Sequence, residues 1–193
     1  MGKSLSDLTL AELWELFPIY LTEHDPAWET WYEEEKERLL GFLKDPDIII
    51  NHIGSTAIPH IWAKPTVDIL VELPMSLSME PVKNILTQND YICMSETEKD
   101  GSKPSSLPKD RFPRKILGRG YPIGGFAKRV FHLHLRYQGD NDELYFRDYM
   151  NENPHLAKQY EALKLSLWKQ YEHDKDGYTA ALWEDIAAID FEK

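Results

Sequence analysis

Hydrophobic positions recur along this chain with two periods, one helical and one of strand type. Thr9-Leu10-Ala11-Glu12 has the spacing of a capping box and predicts a short helix running to about Phe17. Asp25-Pro26 supplies an N-cap followed by proline at the first helical position, and Trp28, Trp31, Tyr32, Leu39, Phe42 and Leu43 then recur at helical spacing. The Glu33-Glu34-Glu35 run of that long helix is expected on its solvated face. Strands are predicted over 47–53, 67–73 and 90–94, with a helix over about 79–88. Strict alternation over 129–137 places Phe131, Leu133, Leu135 and Tyr137 on one face and Val130, His132, His134 and Arg136 on the other.

The last third reads as helical. Segments run from Asp142 to Met150, from Asn153-Pro154 to about Tyr171, and from Tyr178 to about Ile189. Leu156, Tyr160, Leu163, Leu167 and Tyr171 form one apolar stripe, and Leu182, Trp183, Ile186 and Ile189 another. Most tryptophans therefore belong to cores, with Trp62, in the 59–64 connection, the exception that could stack on a base. Neither period holds over 95–114, where Gly101, Ser102, Pro104, Ser105, Ser106, Pro108 and Pro113 predict a mobile loop. Arg111, Arg114, Lys115 and Arg119 in or beside it are candidate phosphate contacts or plain surface.

Composition narrows the possibilities. With 193 residues, 42% of them hydrophobic, the chain can build one core of ordinary size. We expect a helical appendage over 1–19 and a single domain over 20–193. A net charge of −11 argues against general nucleic-acid binding, which needs clustered Lys and Arg, yet leaves room for a small phosphorylated ligand in a local basic pocket. The single cysteine, Cys93, excludes an intramolecular disulfide and is expected in the core. No apolar run approaches the roughly eighteen residues of a membrane span, so a soluble, cytoplasmic protein with no membrane partner is expected.

Candidate chemistry concentrates between Asn51 and Glu72. Gly54 followed by Ser55 and Thr56 would let backbone N–H groups approach a phosphate closely. Asp68, on the next strand, could hold one position of a divalent ion that manages the phosphate chain. The arrangement resembles that of the polymerase-beta-type nucleotidyltransferase superfamily: a Gly-Ser turn, a spacer, then two acids two positions apart on one strand. Here Leu70 occupies the second acidic position, and Glu72 lies on the same face but about 6.6 Å further along. His132 and His134, also about 6.6 Å apart, could both reach one metal ion or one phosphate-bearing ligand; structural histidines held by carboxylates are the alternative. His-x-His also occurs in zinc and iron sites.

A wider resemblance covers nearly the whole chain. Tyr20 to Trp28, His52-Ile53-Gly54-Ser55-Thr56-Ala57-Ile58-Pro59, Ala63-Lys64-Pro65-Thr66-Val67-Asp68-Ile69, His132-Leu133-His134, Phe146-Arg147-Asp148-Tyr149 and Tyr160-Glu161-Ala162-Leu163-Lys164 occur in the order seen in the GrpB family, a mostly bacterial group placed in the nucleotidyltransferase superfamily. Two positions depart from it. Pro59-His60-Ile61 stands where Pro-Gly-(Leu/Ile) is usual, and Leu182 where a lysine is common.

The resemblance implies an α/β (α+β) fold: a polymerase-beta-type, nucleotidyltransferase-like mixed sheet with a helical C-terminal half. It implies nucleotide phosphates at Gly54, Ser55 and Thr56, with Lys64, Arg147 and Lys164 neutralising charge. Mg²⁺ or Mn²⁺ would sit on Asp68, helped by His132 or His134, which double as catalytic groups, with His52 and Glu72 behind them. The function expected is transfer of a nucleotidyl group to a small-molecule acceptor. The alternative is a noncatalytic nucleotide or coenzyme binder, favoured by Leu70 and by the fusion of GrpB-like domains to dephospho-coenzyme A kinase. A metal-dependent hydrolase built on Asp68, His132 and His134 is the third possibility.

Overall fold

The computed structural model describes residues 5–97 and 112–188. The expected loop glycines, serines and prolines at 101–108, the cation Arg111 and the helix end at Ile189 lie outside the described residues. The sheet has five strands in the order β1-β2-β5-β4-β3, formed by Ile49–Ile53, Thr66–Leu73, Val130–Tyr137, Arg114–Arg119 and Ile92–Thr97 respectively. β2 and β5 run parallel at its centre, and the other pairs are antiparallel. The fold is therefore a mixed α/β architecture.

β2 is buried along its whole length except at Asp68, as expected for a strand covered on both faces. One face carries Val67, Ile69, Val71 and Leu73 into the main core, together with Phe131, Leu133, Leu135 and Tyr137 of β5. Helices α2 (Ala27–Phe42) and α3 (Met79–Thr87) close that face through Trp28, Tyr32, Leu39, Met79, Val82 and Leu86. The other face of β2 presents Asp68, Leu70 and Glu72. Helices α4 (Asp142–Glu152), α5 (Pro154–Trp168) and α6 (Lys175–Ala188) form a second core with Ile58 and Ile61.

Local chemistry accounts for the helix starts. Thr9 and Glu12 make the reciprocal capping box that begins α1 (Leu10–Leu16), and Asp25 Oδ1 accepts from Ala27 N at 2.9 Å to begin α2. The N-terminal segment packs on the rest of the fold: Ile19 N donates to the Glu172 carbonyl at 2.8 Å, and the Phe17 ring meets Tyr121 and Phe126 edge-on. No helix among the described residues is long and apolar enough to cross a membrane.

Four expectations are corrected. Both ends of the 95–114 stretch expected to be irregular are strand, because β3 continues to Thr97 and pairs there with Arg114, where β4 begins. Glu35 is buried at 3% exposure, where it pairs with Arg119 and accepts from Tyr91. Trp183 is 62% exposed instead of filling a core. Cys93 is only half-buried.

Candidate functional site

β1 ends opposite Asp68, its last residue Ile53 being the register partner of that carboxylate. Gly54 then takes φ 72° and ψ −172°, a region essentially restricted to glycine, and starts a single 3-10 turn over Ser55–Ala57. The turn is pressed against the acid: a β-carbon on Gly54 would lie 2.6 Å from Asp68 Oδ2. Ser55 Oγ and the Tyr160 hydroxyl of α5 are hydrogen-bonded at 3.2 Å, which ties the turn to the helical half.

His52 leaves this site. His52 is the register partner of Ile69, so its ring lies on the α2 face, stacked on Tyr32 at 4.8 Å. Its Nε2 meets Thr56 Oγ1 at 3.0 Å and its Nδ1 meets Glu29 at 3.1 Å. The supporting role expected of His52 is thus corrected, since its ring lies on the face away from Asp68; the side chains of both residues anchor the turn to α2.

The parallel register places Asp68 beside His132, and Leu70 beside His134. Both imidazoles converge on one oxygen, with His134 Nε2 at 3.2 Å and His132 Nδ1 at 3.4 Å from Asp68 Oδ1. Burial pushes the Asp68 carboxyl pKa upward, but the hydrogen bonds and charges of His132 and His134 outweigh it and hold the group below the usual carboxylate range. An ionised carboxylate only accepts, so the nitrogen facing it on each ring is a donor. His132 Nε2, the far nitrogen, is then the acceptor for the Tyr121 hydroxyl that contacts it. Gly118 beside His132 makes room for that tyrosine, since a β-carbon there would stand 2.9 Å from the Tyr121 ring.

The rest of the acidic pattern is structural. Leu70 is fully buried in the second acidic position. Glu72 accepts from Asn51 Nδ2 at 3.3 Å and Asn141 Nδ2 at 3.0 Å, which joins β1 to the start of α4 and takes it out of the role expected beside Asp68.

Two lysines interact electrostatically with the carboxylate. Lys64, on the connection into β2, and Lys175, at the start of α6, are half-buried and have no carboxylate within 4 Å among the described residues. Burial pushes Lys64 down to about 8, further lowered by Lys175 and opposed by Asp68. Burial also lowers Lys175, opposed by Asp68 and Asp176. Lys164 is 3% exposed, donates to the Trp62 carbonyl, lies 4.6 Å from the Tyr160 ring centre, and is pushed by burial to about 7.

The other predicted cations are already engaged. Arg147 donates to the His52 carbonyl at 2.7 Å and pairs with Asp148 at 2.7 Å. Arg114 pairs with Asp140, Lys115 with Glu80 and Glu96, and Arg119 with Glu35. Lys175, Tyr121 and Tyr178 escaped the sequence reading. Lys175 precedes the predicted helix start and sits between Asp174 and Asp176, which reads as solvated linker.

The donor set does not fit Mg²⁺ or Mn²⁺. A hard divalent ion asks for oxygen ligands around an open position. Here a single carboxylate points one oxygen at two imidazoles, the second acid is Leu70, and two ammonium groups act on the same carboxylate. Among the described residues no group of three or more His, Cys, Asp or Glu side chains is arranged to hold a metal ion. The expected metal set of Asp68, His132 and His134 is instead a hydrogen-bonded acid flanked by imidazoles. The half-buried lysines with no carboxylate in contact, and the hydroxyls, are the groups here that suit an anion.

Comparison with known proteins places this architecture. The chain is 31% identical to the glutamate-rich protein GrpB of Alkalihalophilus pseudofirmus over 83% of its own length and 87% of that protein. It is also 31% identical to the UPF0157 protein YqkA of Bacillus subtilis over 84% of its length, and spans 44% of that longer protein. The crystal structure of the conserved protein GrpB from Enterococcus faecalis, 29% identical, superposes with a TM-score of 0.61 over 86% of this chain and 99% of the other. The family model described as GrpB protein matches residues 18–190, and the chain belongs to that family.

Proposed function

We propose that this protein binds a nucleotide or another small phosphorylated ligand beside Asp68, and that it does so without a catalytic divalent-metal centre. The observation that carries this function is the pair Lys64 and Lys175: two half-buried ammonium groups, under the influence of Asp68, with no carboxylate in contact. Burying an ammonium with no carboxylate in contact is costly, and an anion drawn between the two relieves both. Ser55 and Tyr160, hydrogen-bonded to each other beside the Gly54 turn, add hydroxyl groups. The chain's net charge of −11 suits a small ligand held in a local basic pocket better than a polyanion.

Nucleotidyl transfer to a small acceptor is the second reading, and one observation favours it. The Gly54 turn lies directly against Asp68, the juxtaposition that the nucleotidyltransferase-like resemblance implies. Calorimetry with nucleoside phosphates, with and without Mg²⁺ or Mn²⁺, coupled to an assay for pyrophosphate release, separates the two. Metal-independent binding without turnover is the expected result. Binding that appears only with metal, accompanied by pyrophosphate, selects transfer instead.

A further inference from the structure

Resting on the anion-binding function just proposed, we infer that the group held by Lys64 and Lys175 is a terminal phosphate monoester, bound as its dianion with no metal ion, in preference to a metal-chelated triphosphate. A phosphate monoester carries close to two negative charges at neutral pH. The two lysines without carboxylate contacts supply a matching pair of positive charges. Asp68 does not neutralise either by contact, because Oδ1 faces His132 and His134 and Oδ2 faces the Gly54 turn.

A triphosphate would bring further negative charge beside that ionised carboxylate. The cations that could receive it are already bonded: Lys164 to the Trp62 carbonyl, and Arg147 to the His52 carbonyl and Asp148. Hydroxyl groups complete the recognition of a compact oxyanion. Ser55 and Tyr160 stand 3.2 Å apart, and the Tyr178 ring lies 5.6 Å from Lys64 Nζ with its buried hydroxyl lacking a partner among the described residues.

The test is calorimetric titration of the full chain in EDTA with inorganic phosphate, adenosine 5′-monophosphate, adenosine and ATP, repeated with Mg²⁺. The monophosphate is expected to bind in EDTA and adenosine not to bind. Lys175→Met should weaken the monophosphate by about tenfold or more, and Lys175→Arg should recover most of it. Thermal unfolding of each variant verifies that it is folded, and Lys64→Met serves as the second probe if Lys175→Met is not. Unchanged monophosphate affinity in a folded lysine variant overturns the inference. ATP binding only with Mg²⁺, with no monophosphate binding, overturns it while leaving a phosphate site in place. No binding by any phosphorylated probe overturns the inference and the anion-binding function together.

Discussion

A β-carbon added to Gly54 would stand 2.6 Å from Asp68 Oδ2, so the turn after β1 and the acid on β2 are fitted to each other with no room for a side chain. Gly54→Ala must shift the backbone or displace Asp68 from the two imidazoles, and it must also place a substituted residue at φ 72° and ψ −172°. We predict a loss of about 3 kcal/mol in denaturant unfolding. Loss of phosphate binding should accompany it. A variant as stable as the parent would show that the turn and Asp68 are not in contact.

Restoring the second acid should fail. Leu70 is fully buried on β2, paired in register with Asn51 and His134, where it fills space as an apolar side chain. Leu70→Asp is expected to destabilise the fold by roughly 3–5 kcal/mol, because a carboxylate replaces a fully packed apolar side chain. Chemical denaturation measures this directly. A stable Leu70→Asp protein that acquires Mg²⁺ binding would contradict the view of this face as sealed.

His60 offers the opposite outcome. It is a non-glycine residue at φ 65°, at a position where the family resemblance has glycine, and its carbonyl accepts from Lys158 Nζ at 2.6 Å. A left-handed conformation costs an L-residue roughly 1–2 kcal/mol, partly offset in glycine by greater unfolded-state entropy. His60→Gly should therefore stabilise by about 1 kcal/mol or less, read as an upward shift of the thermal midpoint. A fall in that midpoint would mean that the His60 ring contributes more than the strain removes.

Lys164 predicts an alkaline rise in stability. Burial lowers its pKa in the fold to about 7, and Lys64 is lowered to about 8, whereas an unfolded lysine keeps its ordinary value near 10.4. For a depressed pKa the contribution is fully present above the unfolded value and lost as pH falls through the folded one. Between pH 7 and 9 the unfolded chain binds more protons than the fold, so stability should rise with pH, by roughly 3 kcal/mol. The buried hydroxyls of Tyr160 and Tyr178 have raised pKa values, so they do not oppose this trend in that window. Lys164→Met should flatten the profile. A profile that is already flat in the parent protein would show that the amine is solvated.

Much of the central architecture was legible because local patterns carry it. The Thr9–Glu12 capping box, the Asp25-Pro26 start, and the alternation on β5 each specify their element within a few residues. The meeting of Asp68 with His132 and His134 depended on pairing β2 with β5, which the resemblance suggested and the parallel register displays. Glu35 was misplaced although its signal was present: it falls between Tyr32 and Leu39 on the buried stripe of α2, where helical spacing outranks charge. β4 was hidden by its cations, whose acidic partners Glu35, Glu80, Glu96 and Asp140 come from distant segments. Lys175 was invisible for the same reason, since its relation to Asp68 is set entirely by the packing of α6.

The most direct test of the account is a crystal structure of the full chain grown with a phosphate monoester and Mn²⁺, examined by anomalous scattering. The account predicts a phosphate between Lys64 and Lys175, with Asp68 still facing His132 and His134 and no manganese peak at coordination distance from it. A manganese ion bound to Asp68, with the imidazoles turned to ligate it, would contradict the account.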